Sequence, residues 1–409
     1  MKLFSHQEDG VAWLKQQRRG LLCDDPGLGK TATALGAITK FPVCIICPPS
    51  LVRNWEQEIA KWLEHMPHLQ NQHIDIFKYS QFSRGSVARA TPYETYILDE
   101  SHYVKSAKSK RTQNIKQFVS TDPNVDVFML TATPIVREID DIVAQLQILG
   151  VDISLWKFRS QLMYSKVRRI RGRKVTEYSG CRDYDKFVGL LKQFAIRRRK
   201  TDHLDLPAKL RANRYVSYEG KLKQQLDDLE DWLSHHEIED SAPRHIMTAR
   251  RELGVAKVWG SLEYIKTLLE STSHNYPLLI FAHHREVVDT IHHELLQAGY
   301  YGARIAGDTK LQDRAEAVEV FQSGQLRFIV ANIHSGGVGL TLTRSSHVIF
   351  AELDWTPANL IQAEDRVYRI GQTEVVNVDY LLADHPVEQS IMRRLEHKME
   401  ILEQTVETL

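Results

Sequence analysis

Residues 23–34 read Cys-Asp-Asp-Pro-Gly-Leu-Gly-Lys-Thr-Ala-Thr-Ala. Glycines at 27 and 29 let a backbone turn tightly and aim amide N–H groups at phosphate oxygens. Lys30 brings positive charge to a β- or γ-phosphate. Thr31 brings a hydroxyl for Mg2+ at the start of a helix whose positive end would face the same phosphates. A standard phosphate loop carries one more glycine, where this chain has Asp24; none of these jobs needs it. Further on, Asp99 and Glu100 close the apolar run Thr-Tyr-Ile-Leu-Asp. An Asp at a strand end can hold Mg2+, and an adjacent Glu can polarise an attacking water. A solvated turn is the plainer reading, and the pairing with Lys30 and Thr31 argues against it. Thr131 and Thr133, in Met-Leu-Thr-Ala-Thr-Pro, add hydroxyls at another strand tip, where ligand sites of open sheets collect. The chemistry these residues suit is transfer of a nucleotide phosphoryl group to water.

The elements that must position them read as buried strands. Short runs rich in Val, Ile, Leu and Phe lie at 43–47, 95–99, 127–131, 278–282, 327–332, 347–353 and 375–382. None alternates cleanly, as expected of strands covered on both faces. Longer segments with helical spacing separate them. The fold class is therefore α/β, with parallel sheets in two clusters. We expect a first lobe over 1–150, a basic, mostly helical insertion over 151–255, and a second lobe over 256–409. The last segment spaces Val387, Ile391, Leu395, Met399, Leu402 and Val406 as an amphipathic helix, expected to pack back on the core.

The formal charge of +1 in 409 residues means that nucleic acid would be met by local patches rather than by a global field. One such patch is Lys-Val-Arg-Arg-Ile-Arg-Gly-Arg-Lys at 166–174, which includes Arg168, Arg169 and Arg171. It reads as an exposed protrusion on a DNA backbone; a solvated loop is the alternative. Cys44 and Cys47 form a Cys-x-x-Cys, but inside an apolar strand and with no second pair for zinc. The paired histidines, 283/284 among them, read as ordinary polar residues. No apolar run reaches the length of a membrane span, and no secretory segment opens the chain.

The order of these motifs resembles that of superfamily 2 helicase-type motors. The closing Glu-Leu-Asp-Trp-Thr-Pro-Ala-Asn-Leu-Ile-Gln-Ala-Glu-Asp-Arg-Val-Tyr-Arg-Ile-Gly-Gln, residues 352–372, narrows the resemblance to the Swi/Snf family, within it the annealing-helicase, fork-remodelling branch. It spans nearly the whole chain, as a motor core only. Departures are Asp-Asp-Pro for the family's Asp-Glu-Met before Gly27, Ala132 for a glycine, and Asn-Ile-His at 332–334 for Ser-Thr-Arg.

The resemblance implies two RecA-like lobes with ATP and Mg2+ between them. Gln7 would read the adenine. Gly27, Gly29, Lys30 and Thr31 would hold phosphates, and Thr31 and Asp99 the metal. Glu100 would activate water. Gln362, Arg366 and Arg369 would act from the second lobe, the arginines as fingers. An alternative for the two arginines, one helical turn apart, is a surface salt-bridge helix with Glu364 and Asp365. DNA-backbone contacts would come from Ser50, Arg53, Lys105, Gly337, Gly339 and Thr341, and Trp355 is either a DNA contact or a core residue. The implied function is an ATP-dependent translocase on double-stranded DNA that remodels forks or branched DNA, by strand annealing or branch movement, working as a monomer. Two other readings stand beside it: a strand-separating helicase, and a non-hydrolysing nucleic-acid-binding scaffold. A cytoplasmic protein of a prokaryote or its virus is expected, or a nuclear one in a eukaryote.

Overall fold

The computed structural model describes residues 2–85, 87, 92–119, 122–136, 138–170, 173–219, 223–235, 244–273, 276–336 and 340–407. The chain divides into two compact units, Met1–Leu204 with Ile401–Leu409, and Asp205–Glu400. The stretch from 151 to 255 thus contributes to both.

The first unit holds β1 (Arg19–Leu22), β2 (Val43–Cys47), β3 (Ile74–Lys78), β4 (Thr95–Asp99), β5 (Asp126–Leu130), the hairpin strands β6 (Tyr164–Ile170) and β7 (Arg173–Ser179), and β8 (Ala195–Ile196). Six of these make one sheet in the order β3-β2-β4-β5-β1-β8, parallel throughout. β2, β4 and β5 are buried along their whole length, which is why they carry apolar runs instead of alternation. The second unit holds β9 (Lys209–Val216), β10 (Leu278–Ala282), β11 (Gly302–Ile305), β12 (Phe328–Asn332), β13 (His347–Phe350) and β14 (Val376–Ala383). Their order is β11-β12-β10-β13-β14-β9, again all parallel. The two expected α/β lobes with parallel sheets are both present.

Two expectations about elements need comment. The basic stretch at 166–174 is not helical: it forms the antiparallel pair β6–β7, with Lys166 opposite Glu177 and Arg169 opposite Lys174. Four β-branched residues of the two strands, Val167, Ile170, Val175 and Thr176, favour extended backbone over helix. In sequence, the described helices of the 151–255 stretch flank it, at Leu155–Leu162, Tyr184–Leu191, Lys200–His203, Lys223–His235 and Arg244–Ala256. The C-terminal segment is a helix, Pro386–Glu407, and Val387, Ile391, Leu395 and Met399 lie in the second unit's core. The side chains of Leu402 and Val406 lie outside the described residues.

Candidate active site

β1 delivers the chain into the loop 23–29, and the helix Lys30–Ala37 follows. Gly27 and Gly29 adopt φ of 93° and 79°, a region that costs any residue with a Cβ about 1–2 kcal/mol. At Gly29 a Cβ would also stand 2.1 Å from Gln7 Nε2. Gln7 is buried against this loop: its Nε2 donates to the Leu28 carbonyl at 3.0 Å, and its Oε1 accepts from the Phe4 amide at 3.0 Å. Lys30 Nζ lies over the loop itself, donating to the carbonyls of Asp24 at 2.6 Å and Asp25 at 3.2 Å. Thr31 is half-buried in the first helical turn.

Asp24, which stands in the place of the absent glycine, has a task that the sequence did not disclose. It is fully buried, and its Oδ1 accepts from both the Arg198 backbone amide and Arg198 Nε at 3.0 Å, while Arg198 Nη2 meets Oδ2. Asp25 accepts from Arg197 Nη2 at 2.9 Å and from the Lys200 amide at 3.1 Å. The loop 23–29 is therefore clamped to the segment Arg197–Lys200, just beyond β8. A separation of 174 residues hid this pairing.

Asp99 ends β4. Register places Asp99 opposite Leu130 of β5, and Leu130 opposite Leu22 of β1, so three neighbouring strands end in one row. Trp55 Nε1 donates to Asp99 Oδ2 at 2.9 Å and the Glu100 amide to Oδ1 at 2.9 Å. Burial, and then the charge of Glu100, push the Asp99 carboxyl up to about 7, against the opposing pull of Trp55 and Lys30. Glu100 has φ of 52°, a left-handed conformation rare outside glycine and found where a site over-determines its backbone. His102 Nδ1 lies 3.3 Å from Glu100 Oε2 and 3.0 Å from Thr131 Oγ1. Burial, with Lys105 nearby, drives the His102 pKa down to about 3, so the ring is neutral and its Nδ1 meets Glu100 and Thr131 without forming an ion pair. Thr131 Oγ1 in turn accepts from the Thr133 amide at 3.1 Å. A second bridge runs through buried Gln145, which accepts from Ser101 Oγ at 2.7 Å and donates to the Pro134 carbonyl at 2.7 Å. Gln145 sits in an ordinary-looking apolar helix, and nothing in its local sequence marks it.

In the second unit the helix Pro357–Glu364 carries Gln362 and ends before Arg366 and Arg369. The two arginines therefore do not sit one helical turn apart. They lie in the irregular segment that follows, yet both guanidiniums reach toward the Leu340 carbonyl, each at 3.4 Å. Arg366 Nε also bonds the Gln362 carbonyl at 3.1 Å. Glu364 is not their salt-bridge partner: fully buried, it takes Lys209 Nζ at 2.7 Å and Arg211 Nη2 at 2.8 Å, both from β9.

The residues expected to meet DNA are scattered along the chain. Ser50 is half-buried before the helix Val52–Trp62, Arg53 is exposed in its first turn, Lys105 is half-buried and Thr341 exposed. Arg168 and Arg169 lie on β6, though their side chains, like Arg171, Gly337 and Gly339, fall outside the described residues. Trp355 is a core residue, with Arg250 stacked 4.9 Å from its ring centre. Cys44 and Cys47 are buried and in no disulfide, and the strand that carries them is apolar. No described helix is long and apolar enough to cross a membrane.

Comparison with known proteins agrees with the order of these motifs. Residues 6–88 and 72–226 match the SNF2-related domain, and residues 260–371 the helicase conserved C-terminal domain. The chain belongs to the SNF2-related family: it joins an SNF2-related domain to a helicase C-terminal domain. It is 30% identical to the SWI/SNF-related matrix-associated actin-dependent regulator of chromatin subfamily A-like protein 1 homolog of Caenorhabditis elegans, over 98% of this chain and 62% of the relative. It is 28% identical to the DNA annealing helicase and endonuclease ZRANB3 of Homo sapiens, over 99% of this chain and 40% of the relative. The chain thus spans less than two thirds of the length of these relatives. Both are animal proteins and lend nothing to a prokaryotic or viral source. A Sulfolobus solfataricus SWI2/SNF2 ATPase core in complex with dsDNA is similar at 21% identity and a TM-score of 0.42, covering 99% of this chain and 93% of that one.

Proposed function

We propose that this chain is a DNA-stimulated ATPase that moves along double-stranded DNA and rearranges forked or branched structures without conventional strand separation. One observation carries the reading: the loop with Lys30 and the pair Asp99–Glu100 stand on a single row of strand ends in the first unit. The residues fit a nucleoside triphosphate with Mg2+. A Cβ at Gly29 would run into the Gln7 side chain, and burial, then the charge of adjacent Glu100, raises the Asp99 pKa, a charge arrangement that a divalent cation relieves.

In this reading the loop amides and Lys30 bind the phosphates of ATP, and Thr31 and Asp99 hold Mg2+, which neutralises phosphate charge when bound. Glu100 accepts a proton from the attacking water, and His102 and Thr131 fix its carboxylate. Gln7 orients the loop as well as the base. Arg366 and Arg369, with Gln362 beside them, act on the phosphates as arginine fingers. Ser50, Arg53, Lys105, Gly337, Gly339 and Thr341, with the hairpin arginines 168, 169 and 171, contact DNA phosphates, so binding is sequence-independent and salt-sensitive. The names of the two animal relatives support an annealing or chromatin-related role, in the nucleus of a eukaryote. The domain limits 1–150, 151–255 and 256–409 and the monomeric state belong to the same proposal.

The test is ATP hydrolysis with no DNA and with single-stranded, duplex and forked DNA, beside Lys30→Ala and Glu100→Gln. Duplex or forked DNA should stimulate the rate strongly, and Glu100→Gln should lower it about 10²–10⁴-fold while ATP still binds. Stimulation by single strands alone would favour the strand-separating helicase. The absence of hydrolysis with every DNA would favour the scaffold.

A further inference from the structure

His283 and Asp354 come from two loops of the second unit, and His334 from the short helix Ile333–Gly336. β10 ends at Ala282, β12 at Asn332 and β13 at Phe350. These strands are neighbours, in the order β12-β10-β13, so the three residues gather at the C-terminal edge of adjacent parallel strands, where ligand sites of such sheets form. Their ligand-capable atoms all lie within 4.8 Å of one another. Asp354 Oδ2 stands 3.5 Å from His283 Nδ1 and 3.3 Å from His334 Nε2.

Asp354 is only 1% exposed, and its Oδ2 and His283 Nδ1 have no well-formed hydrogen bond, only the long 3.5 Å approach to each other and, for Oδ2, the 3.3 Å approach of His334. Buried polar atoms are nearly always paired, and each orphan calls for a reason such as an ion or a water. The other carboxylate oxygen, Oδ1, is fixed by the Thr356 amide at 2.7 Å, which leaves Oδ2 facing the two imidazoles. A direct hydrogen bond would draw such atoms to about 2.7–3.2 Å. Two ligands of one zinc ion, each about 2.0–2.1 Å from it at a tetrahedral angle, stand about 3.4 Å apart. Both measured separations match the second spacing.

We propose that His283, His334 and Asp354 form a site for a divalent transition-metal ion of the Zn2+ class, with the fourth position open to water. Two imidazoles and one carboxylate suit zinc, whereas Mg2+ and Ca2+ prefer all-oxygen shells. Metal on Nδ1 of His283 places the ring proton on Nε2, so the 3.4 Å approach of Arg250 Nη1 to Nε2 opens on loading; Arg250 Nη2 keeps its bond to the Leu353 carbonyl. Asn359 Nδ2, 3.5 Å from His334 Nδ1, lies on the far side of that ring. A loaded site would tie together the segments that follow three strands. The proposal is independent of the nucleotide reading and of the Mg2+ assigned to the first unit.

The experiment uses the whole chain, stripped by chelation and dialysed against Zn2+ in excess Mg2+, with Co2+ as a spectroscopic substitute. One Zn2+ per chain should be retained, Co2+ should give the visible absorption of a four-coordinate site, and Zn2+ should raise the melting temperature. His334→Ala, whose side chain is 55% exposed and so not required for folding, should weaken Zn2+ binding about tenfold or more, as should Asp354→Asn. The metal-free His334→Ala protein should melt like metal-free wild type. No stoichiometric Zn2+ in the wild type, or equal affinity in wild type and His334→Ala, overturns the site.

Discussion

At the scale of single residues, the buried pair Asp24–Arg198 makes the strongest claim on stability. Neither partner has water to fall back on: Asp24 is 0% and Arg198 8% exposed. Removing one member of such a pair leaves an uncompensated buried charge, at a cost of about 3–5 kcal/mol. Asp24→Ala should therefore lower the unfolding free energy of the first unit by that amount in urea titrations. Asp24→Asn, which keeps an acceptor for the Arg198 amide, should lose less. An Asp24→Ala protein as stable as wild type would show that the clamp is dispensable. The residues proposed to hold ATP, Gly27, Gly29, Lys30, Thr31, Asp99 and Glu100, stand out in the sequence because they fall in two contiguous motifs, 27–31 and 99–100. Asp24, Gln145 and the His283–His334–Asp354 cluster do not, because their partners are joined only by the fold.

At the scale of elements, the segment after the helix Pro357–Glu364 is held by that helix's last residue. Burial alone would raise the Glu364 pKa, but Lys209 and Arg211 outweigh it and hold the carboxyl down to about 2, against an ordinary 4.5. A depressed acid stabilises the fold above its unfolded pKa, and that contribution fades as pH falls toward the folded value. Between about pH 4.5 and 2 the wild type should lose on the order of 3 kcal/mol through this group. Glu364→Gln should be less stable at neutral pH and should show a shallower acid limb when unfolding midpoints are compared across that window. Parallel limbs would mean that Glu364 does not couple β9 to this helix. Arg366→Ala and Arg369→Ala test the segment's proposed chemistry: kcat should fall about 10³-fold or more with ATP affinity nearly unchanged, and an equal loss of binding would argue for a merely structural role.

Elements also divided by how plainly the sequence announced them. Strands covered on both faces, such as β2, β4 and β10, stood out as apolar runs. β3, partly exposed, and β9, an edge strand whose burial pattern is mostly open, carry too many polar residues to do so. The hairpin β6–β7 was read by its charge and not by its β-branched residues, which is why a protrusion was expected but its extended backbone was not.

At the scale of the whole molecule, a net charge of +1 gives no general attraction to DNA, so the proposed DNA binding rests on patches such as the hairpin. Replacing Lys166, Arg168, Arg169 and Lys174 with Gln should weaken DNA binding uniformly across sequences and flatten its dependence on salt, with the slope falling by roughly 0.9 for each phosphate that the hairpin no longer neutralises. DNA-free ATP hydrolysis should not change. An unaltered salt slope would mean that the hairpin is only a solvated ribbon.

Movement along duplex DNA is the central claim, and displacement of a third strand from a DNA triplex measures it most directly. With ATP, the wild-type chain should release the third strand from a blunt duplex track while leaving the duplex strands paired, and Glu100→Gln should release none. Release of a duplex strand in place of the third, or triplex displacement that proceeds equally without ATP, would contradict the account.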